Sequence, residues 1–179
     1  MDLSKYKNNF TLANKILRVI WTISYITLFY SFKFSFFNKW RILLLRIFGT
    51  KVPFSAIVYS NVKIWAPWNL EMGEYSCLGP NVDCYNQGKI SIGANTIISQ
   101  KTYLCASTHD YTNVTFPLIC KPIQIGSQVW ISADSFIGPG VSIGNGAVIG
   151  ARSAVFKNVE SWTVVGGNPA VFIKERTLL

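Results

Sequence analysis

Ile125-Gly126-Ser127-Gln128-Val129-Trp130 is followed without a break by Ile131-Ser132-Ala133-Asp134-Ser135-Phe136 and Ile137-Gly138-Pro139-Gly140-Val141-Ser142. Ile143, Ile149 and Val155 then open three more units of the same length. One position after each aliphatic stand Gly126, Ser132, Gly138, Gly144, Gly150 and Phe156. Four positions after it stand Val129, Ser135, Val141, Ala147, Ser153 and Val159, all small or β-branched. A period of six is neither that of a helix nor a simple strand alternation. It suits a short strand and a sharp corner, repeated. The aliphatic points inward, glycine takes a corner conformation that a Cβ resists, and the small residue fits the crowded side beyond. Three units make one triangular coil of 18 residues, and coils stack at about the 4.8 Å strand spacing. A β-sandwich does not hold one phase through six repeats, so the predicted fold is mainly β, a parallel β-helix.

Upstream the same period runs through Val52, Val58, Ile64 and Leu70. It resumes after a two-residue shift as Met72, Leu78 and Cys84, and after another as Ile92, Ile98 and Leu104. The rod is therefore predicted over residues 52–168, with a C-terminal tail over 169–179. The period breaks between Leu104 and Ile125, where residues 110–122 are predicted to leave the rod as an excursion loop.

Residues 1–51 are different in kind. They hold nine lysines and arginines against one acid, Asp2, and so carry +8 of the net +9. Val19 to Phe32 is uncharged and dense in aromatics. This predicts an apolar, basic helical segment that lies in a membrane interface or packs against the protein or a neighbouring subunit. Its uncharged stretch is shorter than the roughly 20 residues of a spanning helix. Arg41 to Phe48 reads as a second short helix with Gly49 past its end. A nucleic-acid partner is not predicted, because the charge belongs to this segment and no binding module accompanies it.

The chain opens with no secretory leader pattern, which predicts a cytoplasmic protein, peripheral at the inner membrane face if the basic segment binds lipid. Asn113-Val114-Thr115 matches a glycosylation sequon and is read as chance in that setting. Cys77, Cys84, Cys105 and Cys120 form no Cys-x-x-Cys pair and no Cys/His metal spacing, so reduced thiols and no metal are predicted. A γ-class carbonic anhydrase, which shares the repeat, needs three histidines on zinc, and this chain has one, His109.

That histidine stands where the period breaks. An imidazole is suited to take a proton from an attacking hydroxyl near neutral pH. Asp110 either orients it or caps the loop. Asn81 and Asn86 lie about one and a half coils upstream, where stacking could bring one of them near it, or either simply occupies a corner with positive φ. Cys105 is read as a packed thiol rather than a nucleophile.

The Ile-Gly-x-x-small-x pattern resembles the hexapeptide-repeat acyltransferases over residues 52–174. Within them it is most similar to the colanic-acid-biosynthesis acetyltransferases (WcaF type). Ala66-Pro67-Trp68-Asn69-Leu70, Ile98-Ser99-Gln100, Ser107-Thr108-His109-Asp110-Tyr111, Lys121-Pro122-Ile123 and Gly166-Gly167-Asn168-Pro169-Ala170 carry the resemblance, as does Leu45-Arg46-Ile47-Phe48-Gly49. It implies a left-handed parallel β-helix, an exception to the usual right-handed crossover. It implies a homotrimer with sites between subunits and direct acetyl transfer from acetyl-CoA to a sugar hydroxyl of an exopolysaccharide, capsule or O-antigen unit. His109 is implied as base and Asn81, before Asn86, as the acceptor contact. For the coenzyme it implies Trp130 beside the groove, Ala133 and Ala151 against pantetheine, and Lys157 and Lys174 near the phosphates. Phe156 departs from a usual Thr or Ser, and Val171 from a basic residue, which thins the phosphate contacts. N-acetylation of an amino sugar is the alternative activity, and a non-catalytic trimeric scaffold the alternative role.

Overall fold

Stacked coils form a rod in the computed structural model of the chain, which describes Ser4, Tyr6 and residues 10–178. Short parallel strands line three faces as a seven-stranded, a five-stranded and a four-stranded sheet. Register partners Val58, Leu78, Ile98, Ile131, Ile149 and Val165 pile up inside the first. Ile64, Cys84, Leu104, Ile137 and Val155 do so inside the second, and Met72, Ile92, Ile125 and Ile143 inside the third. All are buried. A fully buried aliphatic contributes about 1.5–3 kcal/mol over an exposed one, so these three columns hold the rod together.

Coil length is not uniform along the rod. Early coils are longer than the repeat predicts: Ile57 pairs with Cys77, and Cys77 with Ile97. The predicted length is met only later, where Gln124 pairs with Ser142, Trp130 with Val148 and Phe136 with Ala154. The extra pair of residues in each early coil lies at the corner between the five- and four-stranded sheets. There Ile64 and Leu70 are separated by a helical turn, Pro67–Asn69, whereas Ile137 and Val141 span the same corner later by a shorter path. This is the origin of the upstream phase shifts.

Corner glycines also serve another purpose than the predicted one. A Cβ on Gly93 would meet the Gly126 carbonyl carbon and the Ser127 nitrogen at 2.5 Å. One on Gly126 would meet the Asn145 nitrogen at 2.8 Å. Neither has a left-handed φ; that conformation falls two positions later, on Asn95 and Gln128. These glycines are demanded by close approach of successive coils.

The excursion leaves the wider corner and is a β-hairpin. Ser107–His109 pairs antiparallel with Leu118–Cys120, so it begins before residue 110 and His109 is part of a strand. The coil that carries it is the longest in the rod, since Ile90 finds its register partner only at Ile123. At the other end the residues read as a tail supply a strand, Ala170–Glu175, which folds back antiparallel on Thr163–Gly167.

Helix α1 (Leu12–Ser24) is capped by Thr11, whose hydroxyl accepts from Asn14 N–H, and continues as wide π-helical turns over Tyr25–Tyr30. Its Trp21 and Phe29 are buried, and Trp21 Nε1 donates to the Ile64 carbonyl at 2.7 Å. Helix α2 (Asn38–Ile47) ends in a Schellman cap with Gly49 at φ +90°. Gly49 N–H donates to Arg46 and Thr50 N–H to Leu45. Arg41 of α2 is 3% exposed and donates to the carbonyls of Val58, Phe32 and Phe34. One side of the N-terminal segment is thus packed on the first coils.

Candidate active site

The hairpin tip is built by two Asx turns. Asp110 Oδ1 accepts from Thr112 N–H at 3.0 Å and from its hydroxyl at 2.5 Å. Asn113 Oδ1 accepts from Thr115 N–H and hydroxyl, both at 2.9 Å. The chain then returns through Phe116, at φ +49°, directly over His109. The two rings stack 4.4 Å apart and 8° from parallel, and the Phe116 carbonyl lies 2.9 Å from His109 Nδ1. A carbonyl only accepts, so Nδ1 of the neutral ring carries the proton and Nε2 keeps its lone pair. Among the described residues nothing hydrogen-bonds Nε2. The ring is half-buried, with the Tyr6 ring 6.1 Å away. A fixed tautomer with a free Nε2 is the arrangement a general base needs.

Other predicted residues fall into different places. The Asp110 carboxyl is held below its ordinary range by the Thr112 hydroxyl and N–H. It caps the tip, and the Phe116 carbonyl, not Asp110, orients the imidazole. Asn86 is fully buried: Nδ2 donates to the Ala66 carbonyl at 2.6 Å and Oδ1 accepts Ala66 N–H at 3.0 Å. It holds the wider corner together. Asn81 is exposed at φ +57°, with Oδ1 accepting from Asn61 Nδ2. The Cys105 thiol donates to the Ser107 carbonyl, as a protonated packed thiol does.

The residues assigned to the donor stand elsewhere on the rod. Trp130 lies on the outer face of the seven-stranded sheet, 48% exposed, its Nε1 donating to Ser99 Oγ at 3.0 Å. Ala133 and Ala151 stack one coil apart at the corner between that sheet and the five-stranded one, where Arg152 N–H donates to the Ala133 carbonyl. Among the described residues nothing accepts from the Ala133 or Ala151 N–H, so both can meet amide carbonyls of a pantetheine arm. Lys174 continues the outer row of Trp130 through Val148 and Val164. Lys157 is exposed at the next corner and is not grouped with them. His109 leaves that same next corner, so one chain keeps its imidazole on one edge of the five-stranded sheet and Ala133 and Ala151 on the opposite edge. The fold of a single chain does not bring His109 to the residues assigned to the donor.

Between those edges runs an aromatic track that the sequence reading missed. Trp65, Tyr85, Tyr103, Phe136 and Phe156 follow one another with ring centroids 5.6–6.5 Å apart. Arg18 lies 3.8 Å over Trp65, and a recess of about 270 Å³ opens there among Arg18, Trp21, Tyr25, Lys63, Asp83 and Tyr85. Tyr103 and Phe136 are register partners, whereas Tyr85 and Phe156 lie two positions beyond Asp83 and Ala154, the register partners of Tyr103 and Phe136, so the track steps diagonally across the sheet. A broad concavity of about 800 Å³ lies over the polar four-stranded sheet at Glu71, Ser91, Gln124 and Ser142, and none of the predicted residues lines it.

The family model for bacterial transferase hexapeptide (six repeats) matches residues 122–157. A colanic acid biosynthesis acetyltransferase, WcaF, of Escherichia coli K12 is 41% identical over 177 residues, 98% of this chain and 97% of that one. The chain belongs to the hexapeptide-repeat acetyltransferases. Its rod is accordingly their left-handed parallel β-helix. Among solved structures, a hexapeptide-repeat-containing acetyltransferase of Vibrio cholerae, complexed with acetyl coenzyme A, is similar at TM-score 0.82 and 25% identity. That match covers 97% of this chain and 94% of the other. A maltose O-acetyltransferase of Clostridium difficile 630 shares the fold at TM-score 0.83 and 23% identity, over 94% and 90% of the two chains.

Proposed function

We propose that the protein is an O-acetyltransferase moving an acetyl group from acetyl-CoA to a sugar hydroxyl of an exopolysaccharide, capsule or O-antigen unit. The observation that carries it is the His109 ring, pinned through Nδ1 by the Phe116 carbonyl, with no partner on Nε2 among the described residues. The acceptor oxygen attacks the acetyl carbonyl carbon while its proton passes to Nε2. The C–S bond breaks, and the same proton goes on to the departing sulfur, giving an acetyl ester and coenzyme A thiol. No acyl-enzyme forms, and Cys105, a hydrogen-bonded thiol, takes no part. The 41%-identical relative named for colanic acid biosynthesis supports a glycan acceptor, and the acetyl-CoA-bound Vibrio cholerae structure supports the donor.

Separation of His109 from Trp130, Ala133 and Ala151 in one chain supports a homotrimer in which the hairpin of one subunit meets the groove of the next. The half-buried aromatics and the Asp83, Lys63 and Arg18 groups of the nearby recess suit the faces and hydroxyls of a sugar ring. A cytoplasmic setting follows from the donor. The test is incubation with acetyl-CoA and a panel of neutral and amino sugars, beside His109→Ala. Ester products, cleaved by hydroxylamine and absent with the variant, are expected. Hydroxylamine-stable amide products instead favour N-acetylation, and no transfer to any sugar with intact trimers favours a scaffold.

A further inference from the structure

Seating α1 on the rod leaves its other face uncovered. Leu12, Ile16, Val19, Ile20, Ile23 and Ile26 recur at helical spacing opposite Trp21, and each is 47–73% exposed. Beyond the helix Phe34 and Phe36 stack on each other at 5.6 Å and are 68% and 73% exposed. Six isoleucine, leucine and valine side chains in one stripe make a contiguous apolar face, a feature that marks an interaction surface. The charge around it has one sign. Residues 10–50 contain no Asp or Glu, and Lys15, Lys33, Lys39 and Arg46 are all exposed there.

We propose that this face is a membrane-docking surface that lies in the headgroup layer of an anionic bilayer. An apolar stripe whose own segment, residues 10–50, carries only cations is complementary to acyl chains beneath anionic headgroups. A second copy of the same face would bring like charges together. Leu12–Tyr30 is long and apolar enough to cross a bilayer. Crossing would tear Trp21 from the Ile64 carbonyl and Arg18 from the Trp65 ring, so the helix lies flat with its aromatic edge on the rod. Neither His109 nor the donor groove enters this contact, so acetyl transfer to a soluble acceptor proceeds without it.

Full-length protein is sedimented with vesicles of phosphatidylglycerol and phosphatidylcholine in equal parts, and with phosphatidylcholine alone. Binding to the anionic vesicles is expected, weakening about fivefold for each of Lys15→Gln and Lys33→Gln and weakening further with added salt. Ile20→Glu with Ile23→Glu, both surface positions, is expected to weaken it on the order of a hundredfold while transfer to a soluble sugar and the oligomer mass stay unchanged. Equal binding to both vesicle types, or none to either, overturns the proposal. So does loss of the oligomer in the double variant, which would make the face a contact between subunits.

Discussion

Replacing His109 by alanine separates a catalytic imidazole from one that merely packs. Within the hairpin the ring makes a stack on Phe116 at 4.4 Å and one hydrogen bond to its carbonyl at 2.9 Å, beside the more distant Tyr6 ring at 6.1 Å. Stacking contributes about 0.5–1.5 kcal/mol and the hydrogen bond a similar amount, so hairpin stability falls by about 1–3 kcal/mol. Neither contact reaches the three aliphatic columns, and the melting temperature of the rod stays close to that of the parent. A general base contributes about 10²–10⁴ in rate, equivalent to about 2.7–5.4 kcal/mol of activation free energy. His109→Gln is the sharper variant, since its amide still donates to Phe116 but takes no proton. Turnover is followed by mass spectrometry of the acetylated acceptor under saturating acetyl-CoA. Both variants are expected to lose kcat by that factor while the KM for acetyl-CoA changes little. If His109→Gln turns over within about tenfold of the parent, the ring is a strut and the base assignment is wrong.

Trp130→Ala is expected to do the opposite, raising the KM for acetyl-CoA with kcat nearly kept, because the proposed reading puts its exposed indole beside the donor rather than the acceptor. Gly93→Ala places a methyl 2.5 Å from the backbone of the next coil, an overpacking of about 1–3 kcal/mol that thermal denaturation reads as a fall of about 2–4 °C per kcal/mol. Arg41→Met leaves the carbonyls of Val58, Phe32 and Phe34 without their donor and is expected to cost about 2 kcal/mol or more, with faster amide exchange in α1 and α2 than in the rod. Glu71, held at about 2 by hydrogen bonds from Lys51 and then Lys89, is a carboxylate whose folded pKa is depressed. Its contribution is present above its unfolded value near 4.3 and lost as pH falls toward about 2. Because the pair is largely exposed the slope is small, and Glu71→Gln is expected to flatten the acid limb of the stability curve over that window.

What was legible in the sequence was whatever repeats. An aliphatic at every sixth position can be buried only by winding the chain, so the rod and the small residues beside each column followed from Ile125 to Val159, and the phase-shifted run from Val52 to Leu104 extended it upstream. The break in period pointed to the excursion, though the hairpin begins earlier, at Ser107, and it singled out the solitary histidine proposed as the base. The corners were less legible. Longer and shorter coils differ only in how one turn is spanned, and each corner glycine answers to the next coil, which is remote along the chain: Gly93 is set by Gly126, and Gly126 by Asn145.

Tertiary structure decided the rest because it depends on pairings that have no period. Phe116 reaches His109 only after two Asx turns reverse the chain, so the carbonyl that fixes the tautomer could not be read from spacing. Asn86 could have faced a substrate; a bidentate pairing across the stack to Ala66 spent it on the corner instead. The N-terminal helix was apolar and basic in the sequence, but which of its faces met the rod was settled by Trp21 finding the Ile64 carbonyl. Hydrophobic periodicity dictates which side chains turn inward, while the outward ones are placed by whatever the neighbouring coil offers.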